Sequence, residues 1–316
     1  MATDRGHVTT GPPAGAYPLP STPIERRAAV ERAEFEREHM AGLGRPVIVT
    51  DATDGWAART KWTFEFFRKE YGSETVLVTD RLGRAQVGRS VRLDEYLLYV
   101  EYPFLSPLSK VASPRPLYLT SFSPFARHPE LLEDFGEPYF VDNAYRELQG
   151  ALRDWYFDQF TWVFMGPAGT LSPLHVDLFA THAWLAQISG RKHFLLFSPA
   201  DADCLYDGAV DLDHPDLERH PLLARARPIE AVLGPGEVIF IPRGWAHRVV
   251  SLDPSVSVTF NFVDRSNCMA HVLAICRELP LWVRKIDKPA FREANRMTWS
   301  AADVAPAPRD PEGRRS

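Results

Sequence analysis

Between Phe160 and Phe262 the hydrophobic positions fall into short runs separated by turn residues: Thr161–Met165, Leu174–Phe179, Ala183–Ile188, Phe194–Phe197, Glu237–Ile241, His247–Ser251 and Val256–Phe262. β-branched and aromatic side chains in runs of this length suit a pleated, half-buried surface. Evenly spaced strands without long intervening helices predict a sandwich or barrel. The stretch Ala200–Pro228, rich in Asp, His, Arg and Pro, is too long for a hairpin turn and is expected as an insertion over one barrel mouth.

The flanks read differently. Thr22-Pro-Ile-Glu25 is a capping-box pattern with proline at the first helical position, predicting a charged helix to about Met40 that Gly42 and Gly44 end. Pro46–Thr50 predicts a strand, Thr63–Tyr71 a short helix and Glu74–Thr79 another strand. After Phe262, Asn267 is a candidate cap for a helix carrying Met269, Val272, Leu273 and Cys276, and Pro280–Ile286 begins a second helical segment. These apolar positions exceed the obvious needs of one barrel flank, so a homodimer through the C-terminal helices is one reading and packing of both helices on their own barrel the other. The organisation is a flexible arm over 1–20, a principal domain over 21–265, a helical extension over 266–300 and a disordered tail over 301–316.

Composition narrows the class. With 316 residues, 45% hydrophobic and 24% charged, global disorder is excluded, and 27 prolines with 12% aromatics argue against a helical bundle. A net charge of −5 gives no bulk electrostatic reason for a nucleic-acid or membrane partner. Cys204, Cys268 and Cys276 match neither a disulfide framework nor a zinc site, and no apolar run reaches signal-peptide or membrane-span length. A soluble protein of a reducing compartment is expected, cytoplasmic with the nucleus also open.

His175-Val-Asp177 places an imidazole and a carboxylate on one face of the predicted strand. The spacing alone is a weak signal, since composition predicts roughly one such pair by chance. His128-Pro-Glu130 and His214-Pro-Asp216 share it but hold proline at the centre, which argues against a central strand. His247 follows the sharp turn Pro242-Arg-Gly-Trp-Ala246 and begins another strand, offering a third ligand. Two histidines and a carboxylate form the facial triad of non-haem Fe(II) sites. The competing reading makes His175 a hydrogen-bonded core histidine and His247 a turn residue. Lys192 begins an apolar strand, where it either points out at an edge or is buried opposite an anion.

Taken together, Pro46–Thr50, Trp56, Trp62, Pro116-Leu-Tyr-Leu119, Met165-Gly-Pro-Ala-Gly-Thr170, His175-Val-Asp177, Ala183-Trp184, Gly190-Arg-Lys192, Phe197-Ser-Pro199, Pro242-Arg-Gly-Trp-Ala-His247 and Val258-Thr-Phe-Asn261 resemble, in order and spacing, the cupin-like JmjC family. The similarity spans roughly residues 40–265 and is greatest to the branch of the phosphatidylserine-receptor-like lysyl hydroxylase and the HIF asparaginyl hydroxylase. It implies a mainly β fold, a double-stranded β-helix or jelly-roll barrel with flanking α-helices at both ends. It also implies an Fe(II)- and 2-oxoglutarate-dependent oxygenase, a JmjC-type hydroxylase or demethylase, in which His175, Asp177 and His247 hold iron. Lys192, Tyr118 and Ser172 would bind the distal carboxylate of 2-oxoglutarate, and Thr259 and Asn261 would line the pocket near the metal. Leu185 stands where the related lysyl hydroxylase has asparagine, removing one polar contact.

Partners implied are 2-oxoglutarate, oxygen and a protein, peptide or small-molecule substrate. Trp245, Phe179 and Tyr206 are candidate groove residues, with core packing as the competing reading. Three alternatives stay open at this point: a metal-binding cupin without oxygenase activity, a catalytically inactive interaction module, and a zinc hydrolase.

Overall fold

A computed structural model of the chain describes residues 17–80, 88–111, 113 and 115–286, with side chains through Arg277. Its strands are β1 (Thr22–Pro23), β2 (Glu25–Arg27), β3 (Val47–Val49), β4 (Thr75–Thr79), β5 (Gly88–Arg92), β6 (Tyr118–Phe122) and β7 (Thr161–Gly166). They continue with β8 (Leu171–His175), β9 (His182–Ser189), β10 (Lys192–Phe197), β11 (Ile229–Leu233), β12 (Val238–Ile241), β13 (Ala246–Ser251) and β14 (Ser255–Phe262). The α-helices are α1 (Arg32–Phe35), α2 (Ala58–Lys61), α3 (Phe64–Tyr71), α4 (Leu93–Glu101), α5 (Gly150–Phe160) and α6 (Cys268–Ile286).

Two sheets form the jelly roll. One is ordered β1-β11-β10-β13-β8 and the other β2-β3-β12-β9-β14-β7-β6-β4-β5. Ile48, Ala183, Leu185, Ile239 and Ile241 of the larger sheet meet Phe194, Leu196, Ala231, Leu233 and Val249 of the smaller in the barrel interior. The alternate residues of the larger sheet, among them Val47, Trp184, Phe240 and Phe260, bury against the helical flank with Phe35, Trp62, Phe67 and Tyr156. Burial on both faces explains the unbroken apolar runs Phe194–Phe197 of β10 and Val238–Ile241 of β12, whereas β14, equally buried, alternates Ser257, Thr259 and Asn261 on the inner face with Val256, Val258, Phe260 and Phe262 on the outer.

Most expected strands form within a residue or two of their predicted ends. Gly190, at φ +72°, turns β9 into β10 where an added Cβ would lie 2.3 Å from the Pro254 carbonyl oxygen. Thr63 caps α3 by accepting from the Phe66 amide at 3.1 Å, and the helix entered near residue 32 ends at Met40 before Gly42.

Several expectations are corrected. The predicted helix from Thr22 does not start there: Thr22 and Ile24 donate their amides to Pro228 and Glu230, so β1 and β2 pair in parallel with β11 and β3. Pro23, lacking an N–H, sits at the sheet edge where no donor is needed. Long-range sheet pairing overrides the local capping signal. The last residues of the expected arm are anchored, with Tyr17 buried edge-on against Phe197; residues 1–16 and the expected tail lie outside the described residues.

The insertion does not lie over a mouth. Its Leu205, Val210, Leu212 and Leu223 cover Leu195, Phe197 and Ala246 on the outer face of the smaller sheet, because those strand residues are apolar and need a cover. Its Asp213 pairs with Arg115 and with the buried Arg248. The two expected C-terminal helical segments are one helix, α6, which continues through Pro280. Met269, Val272 and Leu273 are exposed on it. No helix among the described residues is long and apolar enough to cross a membrane.

Candidate metal centre

β8 and β13 run antiparallel in the smaller sheet, and their register sets His175 directly opposite His247, with ring centroids 4.2 Å apart. Between this pair and the next, Ser172 opposite Val249, β8 carries one residue more than β13. Residues three apart on a regular strand face opposite ways; the bulge brings Ser172 and His175 to the same inner face. The expected strand Leu174–Phe179 is therefore corrected: β8 stops at His175, and Asp177 lies on the following loop rather than beside His175 on one strand. It still reaches the site, with its Oδ1 4.0 Å from His175 Nε2. One ligand atom each from His175, Asp177 and His247 lie within 4.8 Å of one another.

Both imidazoles are oriented alike. Nδ1 of His175 is 2.7 Å from the Pro173 carbonyl oxygen, and Nδ1 of His247 is 3.1 Å from that of Trp245. A carbonyl accepts only, so each Nδ1 carries the proton and each Nε2 presents its lone pair, the tautomer a metal ligand needs. His247 is buried, while the side chains of His175 and Asp177 keep 38% and 18% of their exposure, leaving one open side. The turn before His247 is held by Trp245 Nε1, which donates to the Leu43 carbonyl at 2.9 Å. Gly44 closes against Pro242, where a Cβ would lie 2.4 Å from the ring.

Lys192, Ser251, His247 and Val249 face inward together because β10 and β13 pair Lys192 with Ser251, Phe194 with Val249 and Leu196 with His247. The lysine is 1% exposed, so the edge-lysine reading is excluded. Its Nζ donates to Tyr118 Oη at 3.0 Å and lies over the rings of Phe164 and Tyr118 at 5.2 and 5.6 Å. Among the described residues no carboxylate pairs with it, and burial lowers its pKa from 10.5 to about 7. An ammonium so placed could receive an anion.

The remaining expected residues are distributed along the inner wall. Ser172 is buried. Thr259 donates to the Trp184 carbonyl at 2.8 Å and Asn261 Nδ2 to Thr181 Oγ1 at 2.9 Å, so these polar atoms are spent on the scaffold. Leu185 opposes Thr259 and packs in the apolar interior. Core packing holds for the three candidate groove aromatics: Trp245 is buried, Phe179 packs on Phe160, and Tyr206 accepts from the Leu222 amide. Phe164, stacked with Trp162 and facing Lys192, was not singled out from sequence. Its place opposite Ser257, on the inner face of β7, is the signal that identifies it.

A buried lysine without a counter-charge costs stability. Its pKa is lower folded than unfolded, so the unfolded chain binds more protons between pH 7 and 10.5, and stability rises with pH across that window. Lys192→Met should raise stability at pH 7 by on the order of a few kcal/mol. In urea titrations this difference should shrink steadily toward pH 10; a variant less stable than wild type at pH 7 refutes the assignment of an uncompensated charge.

Comparison with known proteins identifies the family. A family model described as "Cupin-like domain" matches residues 32–268. Lysine-specific demethylase JMJ21 of Arabidopsis thaliana is 30% identical over 258 residues, covering 77% of this chain and 26% of that protein. The bifunctional arginine demethylase and lysyl-hydroxylase psr-1 of Caenorhabditis elegans is 31% identical over 251 residues, covering 75% and 58%. The 2-oxoglutarate and iron-dependent oxygenase JMJD4 of Mus musculus is 29% identical over 285 residues, covering 81% and 64%. The chain thus spans between about a quarter and two thirds of these relatives' lengths. With the family model covering most of the chain and the two-sheet barrel carrying two histidines on its inner wall and a carboxylate on the adjoining loop, the chain belongs to the cupin-like domain family.

Proposed function

We propose that this chain is an Fe(II)- and 2-oxoglutarate-dependent oxygenase that hydroxylates a C–H bond, the hydroxyl either staying or leading to demethylation. The observation that carries the reading is Lys192. A cupin that merely held a metal would have no use for an unpaired ammonium buried in its barrel, whereas a dicarboxylate co-substrate requires a fixed cation. The names of the relatives, which include a 2-oxoglutarate and iron-dependent oxygenase, agree with it.

His175, Asp177 and His247 would hold the iron, which with 2-oxoglutarate and oxygen supplies the oxidation: carbon dioxide leaves, succinate forms and one oxygen atom enters the substrate. The chain's own part is orientation and shielding. Carbonyls of Pro173 and Trp245 keep the imidazoles in the ligating tautomer. Lys192, with the Tyr118 hydroxyl and Ser172, would bind the far carboxylate, and the aromatic wall of Phe164 keeps water from that ion pair. The half-open side at His175 and Asp177, flanked by the exposed Val176 and Leu178, would admit the prime substrate. The relatives named as lysine or arginine demethylases and lysyl hydroxylase point to a protein side chain.

Purified protein with Fe(II), ascorbate and 2-oxoglutarate should release succinate, and peptide pools should yield products about 16 Da heavier, one oxygen atom. Each of His175→Ala, Asp177→Ala and His247→Ala should lower succinate release by at least about two orders of magnitude while the fold survives. Full activity of an iron-bound Asp177→Ala protein refutes the ligand set. Turnover supported by Zn(II) in place of Fe(II) refutes the oxygenase reading.

The lysine also sets a pH dependence. The carboxylate needs the protonated ammonium, and the empty pocket gives up that proton near pH 7. The dissociation constant of 2-oxoglutarate, measured without oxygen, should therefore rise by up to about tenfold per pH unit above 7. A flat profile from pH 6.5 to 9 would remove Lys192 from the pocket.

We also propose that the exposed Val272 and Leu273 of α6 belong to a self-association face. Sedimentation should show a dimer at micromolar concentration that Leu273→Asp converts to monomer; a monomeric wild type rejects it.

A further inference from the structure

The loop that bears Asp177 is strained, and what holds it lies outside the barrel. Residues 176–181 carry the chain from β8 in one sheet to β9 in the other, and Asp177 itself is extended, at φ −61° and ψ 145°. The reversal is made by Phe179 at φ 55° and Ala180 at φ 52°, two successive non-glycine residues in the left-handed region. Each is costly for a side chain with a Cβ, and the pair persists only where neighbours over-determine it.

Those neighbours are specific. Asn267 Nδ2 donates to the Ala180 carbonyl at 3.1 Å and to that of Phe262 at 3.3 Å, while its Oδ1 accepts the Asp264 amide at 2.8 Å. Asn267 stands directly before α6, its carbonyl accepting the His271 amide at 2.8 Å, and its side chain clamps two chain segments as well. His271, one turn later, has Nδ1 2.6 Å from the Phe179 carbonyl oxygen and Nε2 2.5 Å from Tyr145 Oη. The tyrosine hydroxyl donates to Nε2, which leaves the proton on Nδ1 facing the carbonyl. Burial lowers the His271 pKa, in keeping with this neutral tautomer. On the other side of the loop, Thr181 donates to the Leu178 carbonyl at 2.9 Å and accepts from Asn261. Both left-handed residues therefore have their carbonyls held by side chains from the segment that follows the last barrel strand.

We infer that Asn267 and His271 are positioning residues for the metal centre, holding the Phe179–Ala180 reversal so that the Asp177 carboxylate stays turned toward His175 and His247. The inference rests on the metal-site reading above and extends it to side chains that touch no ligand. If the hydrogen bonds are lost, the loop relaxes toward ordinary backbone angles, and the carboxylate two residues upstream moves away from the two imidazoles.

The test is Co(II) titration followed by visible absorption, a readout independent of turnover, with thermal unfolding measured in parallel. His271→Phe keeps the buried ring against Phe160, Phe179 and Tyr145 but removes the donor. It should weaken Co(II) binding by about 10- to 100-fold and change the Co(II) spectrum as the carboxylate ligand is lost. Asn267→Ala should act in the same direction. His271→Gln, which can still donate to the carbonyl, should bind Co(II) to within about threefold of wild type. Ala180→Gly added to His271→Phe should recover much of the affinity, because glycine adopts the left-handed conformation without strain. Unchanged affinity and spectrum in His271→Phe overturn the inference. So does a loss that follows the fall in melting temperature and is not recovered by Ala180→Gly. If wild type binds no Co(II) while Asp177→Ala behaves identically, the metal-site reading fails and the inference falls with it.

Discussion

The antiparallel pairing of β8 with β13 is the constraint on which the site depends. It sets His175 across from His247 within one ladder, so the spacing of the two rings follows from backbone hydrogen bonding rather than from side-chain reach. The bulge in β8 completes the arrangement by turning Ser172 inward as well, one layer deeper. A slip of β13 by one residue would send His247 to the outer face, among the apolar side chains that the insertion covers, and leave His175 without its partner. Register is protected because both faces of β13 are buried, and a slipped strand would expose or bury the wrong set everywhere along its length.

Electrostatics in the barrel favour function over stability. The interior is lined largely by aliphatic side chains, yet Lys192 is placed among them with a tyrosine hydroxyl and two aromatic rings as company. Those contacts soften the desolvation of an ammonium without cancelling it. In the proposed function, the free energy withheld from folding would become available when an anion enters. By contrast Arg248, also buried and on the same smaller sheet, faces outward and has Asp213 against it, so it reads as structure alone.

Strain and clamping complete the same division of labour. The ladder supplies two of the candidate ligands from paired strands, but the third comes from a loop whose conformation is locally unfavourable. Its hydrogen bonds run to Asn261 at the end of the barrel and to Asn267 and His271 beyond it, so the segment after the last strand is tied to the loop that carries Asp177. The helical flank thereby does more than cover the outer face of the larger sheet.

Much of this was legible in the sequence. The strand runs from Phe160 to Phe262, the caps of short helices and the residue types of the triad are local properties, set by side-chain size, branching and donor chemistry. Motif order along the chain carried the barrel and its buried lysine, because the spacing of His175, Lys192 and His247 only makes sense with their strands folded together. What the sequence could not decide depended on partners far away along the chain. Thr22–Arg27 carries a helix-start signal, yet pairs as strand because β11 and β3 offer unfilled edges. The insertion over 200–228 lies on an outer face because exposed apolar strand residues there demand a cover. The loop after His175 escaped a strand-based reading, since left-handed backbone at Phe179 and Ala180 has no propensity signal. Only tertiary hydrogen bonds make it stable, and those exist once the chain near residue 270 has returned to the barrel.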